Sequence, residues 1–422
     1  MDRSILQPAD ELLAHWPTSA PVIGIAFTFT GACDLEALRE RATERWGELP
    51  RLRQRLVPPA TKRGRHLWEH GPRFQPGDHI VSSTGPTDFA AWLHRTATQP
   101  LPGTAPPWQL HLRSAEGEFT LLLRAHHSLL DGRSLITLLR RLLDAGLTGE
   151  ETARRSSPRA TAPVPRARAI AHGIRSALTP ARPVPPPTSP GPHPAYATAE
   201  VPLKLFRAAA RMLPSHLTTH EIALAATAGA LRQLHLTYPP AARRRPVFAS
   251  LPVDLRNAEN ADELGNPIAN LRVPLPVDVD DPRERLAACQ GLVAPFGALD
   301  NLKIPLAVLG AACRLGPRMA ARVSARGTAA SYVAATCTYV PYRSSARTLF
   351  GQPLARLHGF PLIPAPGAYC FALCGDTRSY TVNVLSNSLP DDARQMADAF
   401  LSQMHTLANA DPSDRLGAHG DC

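Results

Sequence analysis

The spacing of apolar residues changes repeatedly between the period of a strand and the period of a helix. The run Val22–Thr30 is apolar and rich in β-branched and aromatic side chains, which predicts a buried strand. Asp34 follows the strand and is suited to cap the next helix. The apolar side chains of that helix recur at helical spacing: Leu35, Leu38, Ala42 and Trp46. This part of the chain is therefore predicted as a strand followed by an amphipathic helix.

The same two patterns continue through the rest of the sequence. Residues 119–125 predict a strand inside a sheet, and residues 134–143 predict a helix with one leucine-rich face. Further elements are predicted in the second half: helices at 220–236, 281–290 and 391–407, and strands at 246–252 and Ser379–Ser386. Because strands and helices are mixed in order and no segment of the sequence repeats, we predict an α/β fold.

Length and composition indicate a globular protein of two or three domains. The chain has 422 residues, of which 44% are hydrophobic, enough for sizeable cores. Its longest apolar runs are far shorter than the roughly 20 residues of a membrane-spanning helix, and its first residues lack the pattern of a secretory signal. The seven cysteines are scattered without a CxxC pair. These features predict reduced thiols and a cytoplasmic location.

Much of the net charge of +11 lies in one segment. Residues 152–199 contain seven arginines, no acidic residue and eleven of the 44 prolines, which is typical of a solvated linker, here with a short helix near 168–178. We predict the linker at 156–195, between an N-terminal part (1–155) and a C-terminal part (196–422). The alternative is a basic surface for anionic lipid, a phosphorylated carrier or the phosphates of coenzyme A. No nucleic-acid-binding motif accompanies the charge, so we predict no nucleic-acid partner.

One short segment combines the residues of an acid–base site. His126 and His127 follow the predicted strand 119–125, and Asp131 and Gly132 come after a gap of three residues. A histidine at the end of a strand suits general-base work because its pKa is near neutral, and we assign this role to His127. The glycine permits a tight loop, while the Asp131 carboxylate fixes that loop or an arginine.

Two other roles are open to the paired histidines, His126 and His127. Adjacent strand residues point to opposite faces, so the pair is poorly placed to bind one metal ion, and we predict no metal site. A purely structural role is the second alternative. The sequence contains no serine elbow, phosphate-binding loop, dinucleotide fingerprint or zinc-protease motif that would support a competing reaction.

The motif at 126–132 resembles that of the HHxxxDG acyltransferase superfamily, which includes chloramphenicol acetyltransferases, peptide-synthetase condensation domains and bacterial wax ester synthase/diacylglycerol acyltransferases. The last group is the most similar. Further stretches carry the resemblance: 49–56 (LPRLRQRL), Trp68-Glu69 leading to Phe74, Pro107-Trp108-Gln109-Leu110, 251–256 (LPVDLR), Leu264-Gly265-Asn266 and Val340-Pro341. The resemblance covers most of the chain outside the linker.

The resemblance implies a fold and a site. The fold consists of two chloramphenicol-acetyltransferase-like α/β subdomains that form a pseudo-dimer with a tunnel at their interface. His127 lies midway along that tunnel, and Asp131 pairs with an arginine of the second subdomain, for which Arg256 is the matching candidate. His126, Asp131, Gly132 and Arg256 are then structural rather than catalytic.

Two segments depart from the pattern of the family. His220-Glu221 stands where a helix of the family carries Asn-Asp, and the segment 338–342 (TYVPY) replaces a Ser-Asn-Val-Pro-Gly run. These changes leave His127 intact but alter groups that line or brace the tunnel. A specialised acceptor, such as a hydroxylated natural product, is therefore at least as well supported as a storage-lipid alcohol.

By the same resemblance the reaction moves an acyl group from a thioester, either acyl-CoA or an acyl-carrier protein, to a hydroxyl of a small molecule or lipid. His127 takes the acceptor proton, and Thr338 or a backbone N–H serves the oxyanion or lines the tunnel. No metal, cofactor or covalent intermediate is required. Two alternatives stay open: an amide-forming condensation enzyme, and an inactive binding protein of the same fold.

The linker predicts at most weak peripheral contact with a membrane. Its large apolar residues at helical spacing are only Ile170, Ile174 and Leu178, too few for an interfacial helix. Salt should weaken any binding of its arginines to anionic vesicles.

Overall fold

The computed structural model of the chain describes residues 3–17, 20–61, 64–71, 75–85, 88–103, 105–144, 164–184, 194–257, 259–292, 294, 307, 309–342, 347–375 and 378–409. The predicted linker therefore lies only partly within the described residues, and Cys422 lies outside them. The other six cysteines are free thiols in the described residues.

Strands and helices of the first half follow each other in mixed order. They are β1 (Arg3–Ile5), α1 (Pro8–Ala14), β2 (Val22–Thr30), α2 (Leu35–Trp46), the 3₁₀ turn Pro50–Arg53, β3 (Gln54–Val57), β4 (Leu67–His70), α3 (Pro76–His79), β5 (Ile80–Ser82), α4 (Phe89–Thr98), β6 (Trp108–Ala115), β7 (Glu118–His126), α5 (Gly132–Leu142) and α6 (Arg166–Leu178).

The second half contains longer helices and a second set of strands. They are β8 (Ala195–Pro202), α7 (Leu203–Ala209), α8 (Thr219–Leu236), α9 (Pro240–Arg243), β9 (Val247–Asp254), β10 (Ile268–Leu275), α10 (Pro282–Cys289), α11 (Pro317–Thr328), β11 (Ala335–Pro341), β12 (Thr348–Leu349), β13 (Gln352–Phe360), β14 (Tyr369–Gly375), β15 (Ser379–Ser386) and α12 (Asp392–Asn409).

The strands form two six-stranded sheets and a small three-stranded one. The large sheets have the orders β12-β13-β2-β7-β6-β5 and β10-β9-β11-β14-β15-β8, and the small sheet has the order β1-β4-β3. Each large sheet contains an antiparallel hairpin, β6–β7 or β14–β15, that is followed by a helix. The predicted α/β class is confirmed.

The two large sheets share a topology that the sequence does not display as a repeat. In each, the strand of that sheet that comes first along the chain pairs antiparallel with the last strand of the hairpin, β2 with β7 and β8 with β15. In each, a parallel strand flanks the other side of the hairpin, β5 in one sheet and β11 in the other. This repeated order gives two subdomains of one plan, as the pseudo-dimer prediction requires.

Each large sheet buries one face beneath helices. Helices α2 and α5 cover the first sheet, where Trp46 is fully buried and its Nε1 donates a hydrogen bond to the Leu138 carbonyl at 3.1 Å. Helices α8 and α12 cover the second sheet. Asp34 caps α2 as predicted, since its Oδ1 accepts a hydrogen bond from the Ala37 amide at 2.8 Å. Local capping and burial of an apolar face thus fix these helices.

Strand β13 belongs to the second half of the chain but pairs with β2 of the first sheet, with Gly359 opposite Ile25. The carbonyl of Gly359 accepts a hydrogen bond from the Tyr196 hydroxyl at 3.2 Å, so the strand also contacts β8. A Cβ at Gly359 would lie 2.7 Å from Cys374 Sγ of β14. The two sheets therefore meet at β13, and the boundaries proposed for the two parts of the chain stay a prediction.

Part of the predicted linker is helical. Helix α6 confirms the short helix expected near 168–178, and Ser176 Oγ donates to the Arg272 carbonyl at 2.7 Å, which holds the helix against β10. Ile174 and Leu178 are 55% and 75% exposed. Within the part of the chain that the structure describes, no helix combines the length and apolarity needed to cross a bilayer.

Replacing Gly359 with alanine should test the junction between the sheets. The added methyl would collide with Cys374 Sγ, and overpacking of this kind costs about 1–3 kcal/mol of unfolding free energy. Gly103→Ala is the control, because its Cβ would meet no atom within 4 Å. Urea denaturation of both variants measures the difference. Equal midpoints for the two variants would mean that β13 does not pack tightly against β14.

Candidate active site

The paired histidines lie where β7 ends. Val22 is the first residue of β2, and it stands opposite His126, the last residue of β7. Pro21 precedes β2 and has no N–H to donate, so the ladder stops there. His127 therefore lies just beyond the strand, where its amide donates to the Pro21 carbonyl at 2.7 Å. It begins the motif loop, residues 127–131, which joins β7 to α5.

Hydrogen bonds within the motif loop hold it in a tight conformation. The ring Nδ1 of His126 accepts from the Ser128 amide at 3.3 Å and lies 2.7 Å from the Ser128 hydroxyl. The His126 carbonyl accepts from the amides of Leu129 and Leu130 at 2.8 and 3.3 Å. The side chain of His126 is thereby committed to the loop, which leaves the His127 ring as the free imidazole of the pair.

Arg51 fastens the motif loop to the N-terminal subdomain. Its Nε donates to the Leu129 carbonyl at 2.8 Å, and its Nη2 donates to the Ser128 carbonyl at 2.8 Å. The guanidinium also stacks 4.8 Å from the ring centre of Trp68. The sequence pattern included Arg51 among the family-like residues but gave it no role, because nothing in a sequence shows which carbonyls a side chain reaches.

Asp131 begins α5 and pairs with Arg256. Its Oδ1 accepts from the Ser134 amide at 2.8 Å, which makes it the helix N-cap. Arg256 Nη1 donates to Asp131 Oδ2 at 2.7 Å and Nη2 donates to Oδ1 at 3.2 Å, and both side chains are at most 5% exposed. The structure thus brings together two residues that the sequence separates by 125 positions.

Other groups of the C-terminal subdomain complete this contact. The Gly265 carbonyl accepts from the Asp131 amide at 2.8 Å and from the Ser134 hydroxyl at 2.9 Å. Arg256 Nε donates to the Glu263 carbonyl at 2.8 Å. Asn266 Nδ2 donates to Asp10 Oδ1 of α1 at 2.9 Å. The loop that carries Gly265 and Asn266 therefore binds two separate elements of the N-terminal subdomain.

Gly132 lets a strand of the second sheet approach the motif loop. A Cβ at this position would lie 3.2 Å from Val340 Cγ2, so the absence of a side chain sets how close β11 comes. Thr338 lies two residues earlier on β11, on the same face as Val340, and is partly buried. The strand face that bears Thr338 is therefore the face turned toward the motif loop.

Burial dominates the electrostatics of the paired histidines. It lowers the pKa of His127, while a contact with the residue's own backbone carbonyl and the charge of Asp131 act in the opposite direction. Burial, followed by the neighbouring charges of His127 and His66, lowers the pKa of His126 to about 4. Among the described residues, no other residue hydrogen-bonds to His127 Nδ1. Both rings are neutral at pH 7, so the His127 ring can accept a proton.

The two residues that depart from the family pattern have different surroundings. Glu221 forms a capping box with Thr218 at the start of α8 and accepts from the Gly291 amide at 3.0 Å. Burial lowers the pKa of His220, and no hydrogen-bond partner of its Nε2 is found within the described part of the chain. Glu221 is thus structural, whereas His220 is a half-buried neutral imidazole.

A small cavity lies where the two sheets meet. Its volume is about 90 Å³, and its walls include Thr198 of β8, His358 of β13, Cys374 of β14 and Thr381 of β15. Neither of the paired histidines lines it. The tunnel that reaches His127 stays a prediction from the resemblance.

Removing either partner of the Asp131–Arg256 pair should destabilise the protein. Asp131→Ala and Arg256→Ala should each lower the unfolding free energy by about 3–5 kcal/mol, because the remaining charge is buried without its partner. Chemical denaturation measures this loss. The double variant should lose less than the sum of the two single losses, since both remove the same interaction.

Asp34→Ala is the matched control, since Asp34 also caps a helix but is exposed. It should cost only about 1 kcal/mol. A loss at Asp131 no larger than the loss at Asp34 would mean that the ion pair adds nothing to the cap.

Comparison with known proteins bears on the chemistry of this site. The model of the wax ester synthase/diacylglycerol acyltransferase catalytic domain matches residues 21–247. No curated protein sequence matches the chain.

Solved structures share the fold at low sequence identity. The wax ester synthase/diacylglycerol acyltransferase from Marinobacter aquaeolei VT8 is 16% identical, with a TM-score of 0.62, over 96% of this chain and 100% of that one. The first condensation domain of the CDA synthetase is 18% identical, with a TM-score of 0.68, over 97% of both chains. The starter condensation domain of rhizomide synthetase RzmA, in complex with C8-CoA and Leu-SNAC, is 15% identical, with a TM-score of 0.64, over 97% of this chain and 95% of that one.

These structures confirm the two-subdomain fold, and the family model, which spans more than half of the 422 residues, confirms the resemblance drawn from the motif. With the histidine motif placed between β7 and α5 and held by groups of both subdomains, the chain belongs to the wax ester synthase/diacylglycerol acyltransferase family.

Proposed function

We propose that this acyltransferase moves an acyl group from a thioester to a hydroxyl acceptor and that His127 is the general base. The observation that supports this proposal best is the state of His127, a neutral imidazole on a loop fixed by Arg51 and by the Asp131–Arg256 pair. A base held in this way needs no reorganisation before it takes a proton.

We assign the basic lone pair of His127 to Nε2, the ring nitrogen farther from the backbone. Nδ1 is buried and has no hydrogen-bond partner among the described residues. Nε2 removes the hydroxyl proton as the acceptor oxygen attacks the thioester carbonyl carbon. The tetrahedral intermediate collapses with cleavage of the C–S bond, and the imidazolium returns the proton to the thiolate, which leaves an ester and a free thiol.

The negative charge on the tetrahedral intermediate needs a hydrogen-bond donor. Thr338 is our candidate, because it shares a strand face with Val340, which approaches Gly132 at the end of the motif loop. A backbone N–H of the loop is the alternative donor. The proposed acyl transfer requires no cofactor and no metal ion.

The donor is a thioester of coenzyme A or of an acyl carrier protein. Support comes from the rhizomide starter condensation domain, which shares the fold and was solved as a mutant in complex with C8-CoA and Leu-SNAC. A hydroxyl acceptor is favoured because the matching family model is that of wax ester synthases and diacylglycerol acyltransferases. The acceptor is a small hydroxylated natural product or a lipid alcohol.

The two rival functions differ in the support they have. An amide-forming enzyme would use the same base, and the condensation domains of similar fold are its support. An inactive binding protein has less support, because the motif residues His127, Asp131 and Gly132 are all present and closely packed.

His127→Ala should abolish most of the activity without unfolding the protein. We expect turnover of an acyl-CoA with an alcohol to fall by about 10²–10⁴, the usual contribution of a positioned general base. Release of free thiol gives the rate, and circular dichroism monitors the fold. His126→Ala should instead affect stability more than turnover, since its ring bonds to Ser128. His405→Ala, in the exposed surface of α12, should change neither.

The pH profile provides an independent check of the same residue. Because burial lowers the pKa of His127, kcat/KM should stay level through neutral pH and fall only below the ordinary histidine pKa of about 6.5. An acidic limb with a midpoint above 6.5, or a His127→Ala variant with near-normal turnover, would rule out His127 as the base.

Matched acceptors should separate ester from amide formation. Purified protein is incubated with a panel of acyl thioesters and with pairs of alcohols and amines of equal carbon skeleton, and mass spectrometry identifies the products. We expect ester from at least one pair and a lower rate with its amine. Faster formation of amide than of ester in every pair would favour the condensation alternative. Absence of turnover with every thioester would favour the inactive binding protein.

A further inference from the structure

Two imidazole rings and one carboxylate meet beside α1, outside the motif loop. Glu11 lies within α1 and His15 follows its last residue, so the two are one turn apart, while His66 immediately precedes β4. Glu11 Oε1 lies 2.9 Å from His66 Nδ1 and 3.3 Å from His15 Nε2. The three atoms all lie within 4.8 Å of one another.

Two of these three separations are close to the edges of a metal coordination polyhedron. With metal–nitrogen and metal–oxygen bonds of about 2.0–2.1 Å, two ligands of a tetrahedral ion lie roughly 3.3–3.4 Å apart. The distance from Glu11 to His15 already has this value, and the distance from Glu11 to His66 is a few tenths of an ångström shorter. Small rotations of the side chains would therefore admit an ion between the three atoms.

The two carboxylate oxygens of Glu11 have separate partners. Oε2 accepts from the His66 backbone amide at 3.2 Å and lies 3.9 Å from Arg65 Nε. Oε1 contacts the imidazole rings of His66 and His15. A carboxylate that binds a metal ion commonly has one oxygen held by hydrogen bonds from neighbouring groups, while its other oxygen faces the ion. Glu11 has this arrangement.

Burial also suits a bound cation at this position. The Glu11 side chain is 1% exposed, whereas those of His15 and His66 are 16% and 14% exposed, so the cluster is buried on one side and open to solvent on the other. An ion bound here would contact a buried carboxylate and keep one coordination position open to solvent.

We propose that Glu11, His15 and His66 bind a divalent first-row transition-metal ion, and that Zn²⁺ suits the site best. Two nitrogen ligands and one oxygen ligand exclude the hard ions Mg²⁺ and Ca²⁺, which prefer oxygen alone. Zn²⁺ has no geometric preference from its d electrons and takes three protein ligands with one open position, here toward solvent. The bound ion joins α1 to the segment that leads into β4, and this role is independent of the proposed acyl transfer.

Cobalt and zinc titrations test the proposal on the whole protein. After treatment with a chelator, one equivalent of Co²⁺ should give visible d–d absorption, and Zn²⁺ should displace it and raise the melting temperature by mass action. His15→Gln keeps a hydrogen-bonding group and lies at the partly exposed end of α1, so the variant should fold. His15→Gln removes a ligand, so it should weaken Co²⁺ binding by at least roughly 10–100-fold. That is the effect typical of substituting residues that only hydrogen-bond to a metal ligand.

His405→Gln is the matched control for adventitious binding by surface histidines, and it should bind Co²⁺ like the wild type. Glu11→Gln is a second ligand variant that should also lose binding. Absence of the absorption bands in the wild type at one equivalent would overturn the proposal, as would equal affinity in the wild type and His15→Gln. Binding that His405→Gln weakens as much as His15→Gln does would also overturn it.

Discussion

The ion pair between Asp131 and Arg256 joins the two subdomains at the loop that holds the paired histidines. Removing two charges from water costs several kcal/mol each, and the mutual attraction offsets this cost only when geometry and hydrogen bonding are good. Here the guanidinium contacts both carboxylate oxygens, and its other N–H groups reach the Glu263 carbonyl and the Ser134 hydroxyl. The pair is consequently well satisfied, and its geometry fixes where α5 begins.

Several other interactions depend on the position that this pair gives to the motif loop. Arg51 can reach the carbonyls of Ser128 and Leu129 only while the loop keeps its turn. Gly132 can approach Val340 only while β11 stays beside the start of α5. The base proposed for the reaction therefore owes its position to groups from both subdomains, none of which contacts a substrate in our mechanism.

Much of the local structure could be predicted from the sequence. The bounds Val22–Thr30 and Ser379–Ser386 match the predicted strands, because continuous apolar or alternating runs bounded by turn residues are strong local signals. The motif at 126–132 was evident because its members are contiguous. The start of α2 at Asp34 was predictable for the same reason, since an N-cap acts within three residues.

Features that depend on contacts between distant residues were not predictable. Strand β13 mixes polar and apolar residues and has an irregular register near Leu354, so its pairing with β2 has no local signal. The role of Arg51 has no local signal, because its partners are backbone carbonyls 77 and 78 residues away. The cluster around Glu11 has no local signal either, because His66 lies 55 residues away. Spacing along a chain reveals neighbours only within one element.

The pairing of β13 with β2 has a consequence for the order in which the molecule is assembled during synthesis. Residues 22–30 leave the ribosome more than 300 residues before their partner, residues 352–360, so one edge of β2 has no partner until the chain is nearly finished. Exposed edges invite pairing with other chains, and contacts of high sequence separation form slowly. We therefore expect a truncated chain that ends before residue 352 to leave this edge of β2 unpaired and open to pairing with other chains.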